Sequence, residues 1–220
     1  MFDWIQNLRD PESQDRLMTR FQEMLSDGRH AFDAAVTILA SGGDPASVRE
    51  EVFKTDKRIN ENEQALRREL VVHGIVHGTS VFPVLLVMMS LAKDAERIGD
   101  YAKNLLDLGR HRTSLSDDDH KVVAELGQEA SRLLQEAASI FRDKDEEAAR
   151  AFLEKEEAFR RACETRIDAW IETSDRNCSA ACLCARFIKR VAGHAGNVVS
   201  SVCMPLDKLD FHPNGGGDED

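Results

Sequence analysis

The segment Lys93–Asn104 (KDAERIGDYAKN) returns in altered form at Arg186–Asn197 (RFIKRVAGHAGN), and this repetition restricts the fold more than any other feature of the chain. The copies share their apolar frame and the pairs Arg97/Arg190, Ala102/Ala195 and Asn104/Asn197, but the acids of the first are absent from the second. Around the first copy, Val84, Met88, Leu91, Ala95, Ile98, Ala102 and Leu105 recur at alternating spacings of 4 and 3. That is the seam of a helix packed in a bundle. A constant shift carries this seam onto Asn177, Ala181, Cys184, Ile188, Val191, Ala195 and Val198. A second helix, with Val52, Asp56, Ile59, Glu63, Leu66 and Leu70 on one face, likewise shifts onto Phe152, Glu156, Phe159, Cys163, Arg166 and Trp170.

Helix starts are written locally. Asp10-Pro11 and Asp44-Pro45 each set an acceptor before a proline, whose missing N–H costs nothing in a first helical turn. Ser116 and Asp119 have the spacing of a capping box. Breaks are expected at Ser41-Gly42-Gly43 and Gly74–Ser80, with a polar linker over Gly109–Ser116. The expectation is an all-α protein of six long helices forming two tandem three-helix bundles. Residues 12–110 form the first unit, 115–204 the second, and 205–220 a disordered acidic tail ending in NGGGDED. With 31% charged residues and no alternating β-branched run, strands are not expected.

Several function classes drop out on charge and motif grounds. A net charge of -11 repels a phosphate backbone, so no nucleic-acid partner is expected. The opening MFDWIQNLRDPES has no basic and then apolar run, so it does not read as a secretory signal. Val81–Ala92 is apolar but too short to span a bilayer; it reads as a buried helix. If its Val81–Met89 part exceeds what one bundle can cover, a homodimer is possible. Five cysteines without framework spacing fit a reducing compartment, and Cys178, Cys182 and Cys184 read as small buried side chains rather than metal ligands. No P-loop, GxGxxG, nucleophile elbow or Glu-xx-His motif is present, and nothing points to an enzyme.

The acids inside the pattern are its informative residues. Asp56 and Glu63 stand where their helix asks for apolar side chains, so each must be neutralised, paired with a base such as Arg58, Arg67 or Arg97, or bound to a cation. Asp94 projects near the seam of its own helix and matches Phe187 in the second copy, which places it in a polar layer with Asp56 and Glu63. Glu96 and Asp100, one turn apart, fall opposite the seam in a stripe with Lys103 and Asp107. Such a stripe is either a solvated face or one edge of a hard-cation site. His73 and His77 have the spacing of a zinc pair, but Gly74 and Gly78 make that stretch read as a turn.

Glu96-Arg97-Ile98-Gly99-Asp100, followed by Ala102 and Asn104, resembles the E-R-I-G-D-x-A-x-N signature of the PhoU family. The frame Asp56-Lys57-Arg58-Ile59-Asn60 with Glu63, the chain length and the tandem layout resemble that family as well. The resemblance implies a non-enzymatic, cytoplasmic regulator of phosphate uptake and phosphate signalling. Its implied role is that of an adaptor between the ATPase of a phosphate ABC transporter and a sensor histidine kinase, with peripheral membrane association through those partners only. A divalent or iron metal ion in the first repeat only is implied too, on Asp56, Glu96 and Asp100. Asn60 departs from the family's acid there, and Arg160, Lys189 and Gly193 replace the acids of the second site. The acidic stripe, or the small-residue face around His194 and Gly196, is the expected contact surface. The alternatives are a metal-binding helical protein or an accessory protein of a phosphate permease.

Overall fold

The computed structural model describes residues 11–41, 43–109, 111, 115–173 and 176–209. Six helices carry the fold: α1 (Pro11–Ser41), α2 (Ala46–His77), α3 (Phe82–Leu108), α4 (Asp117–Asp143), α5 (Glu146–Ile171) and α6 (Ser179–Cys203). Short 3₁₀ turns occupy Thr79–Val81 and Leu206–Lys208, and the described residues contain no strand. The all-α class read from the two seams is therefore what the chain adopts.

The helix ends follow their local chemistry. The Asp44 carboxylate accepts the Ala46 N–H at 3.0 Å, opening α2 beside Pro45. Gly78 closes α2 at φ 74, a conformation that favours glycine. Ser116 Oγ accepts the Asp119 N–H while Asp119 Oδ2 accepts the Ser116 N–H, both at 3.2 Å, so the capping box is complete. One cap escaped the sequence reading: Asp145 accepts the N–H groups of Glu147 and Ala148, starting α5 one residue after Lys144 turns left-handed at φ 57.

Helices α1, α2 and α3 pack on one another, and α6 packs on α4 and α5. The two sets of three join along two lines, α1 on α4 and α3 on α6. One core runs through both, and its largest fully buried side chains include Phe21, Phe32, Phe141 and Phe152. Phe21 and Phe141 meet edge-on at 4.9 Å between ring centroids, tying α1 to α4. Burial of each such side chain contributes roughly 1.5–3 kcal/mol.

Four expectations change on this frame. Gly74 does not end α2; the helix continues to His77, and His73 and His77 stack with ring centroids 4.2 Å apart. Arg166 is exposed rather than part of the α5 seam, and Asn177 precedes α6. Residues 206–208 form a 3₁₀ turn and Leu209 packs against the core; the remainder of the expected tail, 210–220, lies outside the described residues. The apolar run from Val81 is only partly buried, since Phe82 and Leu86 are exposed. The proposed N-cap Asp10 also lies outside the described residues.

Candidate functional site

Between α2 and α3 the chain buries four carboxylates. Asp56, Glu63 and Glu96 are each less than 9% exposed, while Asp100 is half-buried at the edge. A carboxylate without a partner in such a place costs several kcal/mol, so the surrounding cations determine what the layer is. Lys103 sends its ammonium between the helices, 2.9 Å from Asp56 Oδ2 and 3.1 Å from Asp100 Oδ1. Burial pulls the Lys103 pKa down, but hydrogen bonds to Asp56 and Asp100 carry it above the ordinary lysine value. Asn60 Nδ2 donates to Asp56 Oδ2 at 3.2 Å. Arg67 meets Glu63 at 2.8 Å, Lys93 meets Glu96 at 2.5 Å, and Arg97 lies 3.4 Å from Asp100. Arg58 instead pairs with Asp27 on α1.

The position of Glu96 differs from the sequence reading. It does not face solvent: α3 packs against α1, α2 and α6 at once, so more than its one seam is covered, and Glu96 turns toward α2. Burial raises its pKa above the ordinary value; the Lys93 hydrogen bond opposes this, and the negative charges of Asp100 and Glu63 reinforce it. The expected ligands are thus near one another, Asp56 and Asp100 sharing a cation and Glu96 held by Lys93. Their donor chemistry suits a hard cation, and Asp56 Oδ1 is buried without a hydrogen bond. Yet an ammonium already stands between Asp56 and Asp100. Among the described residues no three carboxylate, imidazole or thiol groups are grouped to hold a metal ion. As placed, these side chains form a carboxylate–ammonium layer, not a metal-ligand set.

The equivalent place in the second half is compensated differently. Glu156, fully buried, lies where the α5 seam matches Asp56, with Arg160 Nε 3.7 Å from its carboxylate. Gly196 takes the position matching Lys103 and leaves room for that carboxylate; a Cβ there would fall 3.2 Å from Glu156 Cδ. Lys189, matching Glu96, pairs with Glu164. Gly196 is therefore packed inside the protein, while His194 beside it is half-buried.

Asp94 does not join the α2–α3 layer either. Its Oδ1 lies 2.8 Å from His194 Nδ1 and accepts the Asn197 amide at 2.9 Å, both on α6. Tyr101 stacks on His194 and meets Phe187 at a tilt, each at 5.7 Å between centroids. The shift that aligns the two copies maps Asp94 to Phe187 and Tyr101 to His194. The Asp94–His194 and Tyr101–Phe187 contacts are thus mates across the α3–α6 crossing. No local periodicity points to such a pair, although the Asp94/Phe187 mismatch in the aligned copies marks the place.

Two further features complete the chemistry. Asp119 accepts from Arg176 and, at 2.8 Å, from Trp170 Nε1. The Arg176 hydrogen bond, working against burial and helped by Ser116 and Trp170, holds its carboxyl far below the ordinary range. The cysteines are all free, and burial pushes the Cys163 and Cys184 thiols up to about 12, far from nucleophilic.

Residues 21–108, which span most of α1 and all of α2 and α3, match the family model of the PhoU domain. No curated protein matches the chain by sequence. Among solved structures, the chain is similar to the phosphate transport system regulatory protein PhoU from Streptococcus pneumoniae, with 18% identity over 90% of this chain and 94% of that one, at a TM-score of 0.71. It is similar to PhoU from Pseudomonas aeruginosa as well, with 18% identity over 87% of this chain and 95% of that one, at a TM-score of 0.73. At that identity the structural likeness establishes the fold, and the domain match is confined to the first half.

Proposed function

We propose that the chain is a PhoU-family regulator of phosphate transport, since residues 21–108 match the PhoU domain and nearly the whole length has the fold of the PhoU structures. The observation that carries this reading is the domain match, which covers the half that holds the α2–α3 charge layer. The finer reading is an adaptor between a phosphate transporter ATPase and a sensor histidine kinase, acting by binding and not by catalysis. A binding protein of this kind works only by preferring one state of its partner; each tenfold preference shifts the partner's equilibrium by about 1.4 kcal/mol.

Two features support a binding role. The halves form one body along α1–α4 and α3–α6, so an engaged partner meets a fixed surface. Helix α5 exposes Glu154, Glu164 and Asp168 on one face, with Arg161 among them, a mainly acidic face suited to the basic cytoplasmic segments of membrane proteins. Among the described residues no helix is long and apolar enough to cross a membrane.

Deleting the gene in its own host and following a phosphate-responsive reporter in high phosphate tests the proposal. The expected result is a reporter that stays on, with phosphate uptake no longer restrained, and restoration by the wild-type gene. A deletion strain whose reporter and uptake match the parent overturns it. Co-purification with tagged protein tests the adaptor reading separately: recovery of the ATPase and the kinase is expected, and recovery of a phosphate permease instead replaces that reading with the accessory-protein one.

A further inference from the structure

The end of the bundle where α2 turns into α3 is apolar. Val71, Val72, Ile75 and Val76 form a stripe about 140° wide on the last turns of α2, at 100° per residue. All four are exposed, Ile75 by 78% and Val76 by 68%. Phe82 and Leu86 extend the stripe onto α3, Leu86 being 63% exposed. The Asp94–Asn197 hydrogen bond gives a common level for the antiparallel helices α3 and α6. From there α3 runs back about 18 Å to Phe82, while α6 runs only about 9 Å to Cys203, at 1.5 Å per residue. The apolar start of α3 therefore runs about 9 Å past the last residue of α6.

Its charge pattern is as unusual as its exposure. Between Glu69 and Lys93 there is no Asp, Glu, Lys or Arg, in a chain that is 31% charged with a net charge of -11. Against the stripe lies a cavity of about 310 Å³, its walls including Val72 and Val76 and its polar lining Arg16, Arg68, His73 and His77. Glu69 also borders it, but that carboxylate is met by Arg20 at 2.9 Å. The cavity lining itself carries two arginines against this one paired carboxylate, the reverse of the balance of the protein as a whole. An exposed aliphatic and aromatic stripe beside cationic side chains is the pattern of a surface that rests in the headgroup region of an anionic bilayer.

We propose that this end docks directly on a lipid bilayer, with Ile75, Val76, Phe82 and Leu86 entering the headgroup–acyl boundary and an anionic phosphate headgroup seated at the Arg68 side of the cavity. The proposal goes beyond the regulatory reading, since contact through partners is not required. It is tested with purified protein and lipid alone, so its failure leaves that reading untouched.

The experiment is co-sedimentation of the full chain with large vesicles of phosphatidylcholine, with and without phosphatidylglycerol. Binding is expected to both, and more strongly with phosphatidylglycerol present. The Ile75→Asp/Leu86→Asp variant, altered only at exposed positions and checked for unchanged circular dichroism, is expected to lose at least about tenfold in partitioning. Arg68→Glu is expected to lose the preference for phosphatidylglycerol and to keep the binding to neutral vesicles. Wild-type protein that sediments with neither vesicle, or a double variant that binds like wild type, overturns the proposal. Loss of the preference in inorganic phosphate but not in chloride of equal ionic strength assigns the cavity to free phosphate and overturns the headgroup assignment. A double variant that turns a dimer into a monomer in sedimentation equilibrium makes the stripe a contact between copies, and also overturns it.

Discussion

Gly127 on α4 lies directly against Val36 on α1, so closely that a Cβ at 127 would fall 2.9 Å from Val36 Cγ2 and nearer still to Cγ1. The closest approach of the two halves along α1–α4 is set by the absence of one methyl group. Val36 is buried and β-branched, with few rotamers available for retreat. Gly127→Ala is therefore expected to destabilise the protein by about 2 kcal/mol, the helix propensity gained being smaller than the overpacking. Urea unfolding measures this, and a paired Val36→Ala change is expected to recover part of the loss.

Lys103 and Asp56 make a second test. Lys103→Met leaves the Asp56 carboxylate buried beside an apolar side chain, at a cost of about 3 kcal/mol. Adding Asp56→Asn removes the stranded charge, so the double variant is expected to be more stable than Lys103→Met alone. A double variant no better than the single one would show that Lys103 does not neutralise Asp56.

Glu96 titrates in the opposite sense to most acids. Its folded pKa is raised, so its contribution to stability is present below its ordinary value of 4.5 and lost as pH rises through the folded value. Glu96→Gln removes that cost. The variant is expected to have a higher Tm than wild type at pH 7.5 and an equal one near pH 4, read by calorimetry at both.

Asp119 behaves conversely. Its folded pKa is depressed, so its stabilisation is present above the ordinary 3.8 and is lost as pH falls below it. Asp119→Asn is expected to cost about 1.5 kcal/mol at pH 7, where Arg176 and Trp170 lose their charged acceptor, and to unfold with a shallower acid transition. Equal acid slopes for the two proteins would remove Asp119 from the account.

The thiols offer a test of burial. In native protein at pH 8, Cys163 and Cys184 are expected to resist alkylation, and all five cysteines to react in denaturant. Mass spectrometry of labelled peptides reads the outcome; rapid native labelling of Cys184 would contradict the packing of α6.

The helices could be read from the chain because their signals are local. Seams at 4 and 3 spacing, Asp44-Pro45, Gly78 and the Ser116–Asp119 box each act within a few residues of where they are written. The site was legible only in part. Asp56 and Glu63 declared themselves as charges in an apolar frame. Glu96 did not, because one seam presumes one neighbour and α3 has three. Asp94 finds His194 on a helix 100 positions away, a partner chosen by how the halves cross and not by any periodicity in either. Asp145 was missed for a simpler reason: it lacks the following proline, or the acid three residues on, that marked the other caps.

The bond from Asp94 to α6 has a mechanical consequence. Prying α3 from α6 would break both hydrogen bonds of Asp94 and part Tyr101 from Phe187 and His194 in the same stroke. The molecule therefore resists being split down its length, and the two halves move as a wedge and not as a hinge.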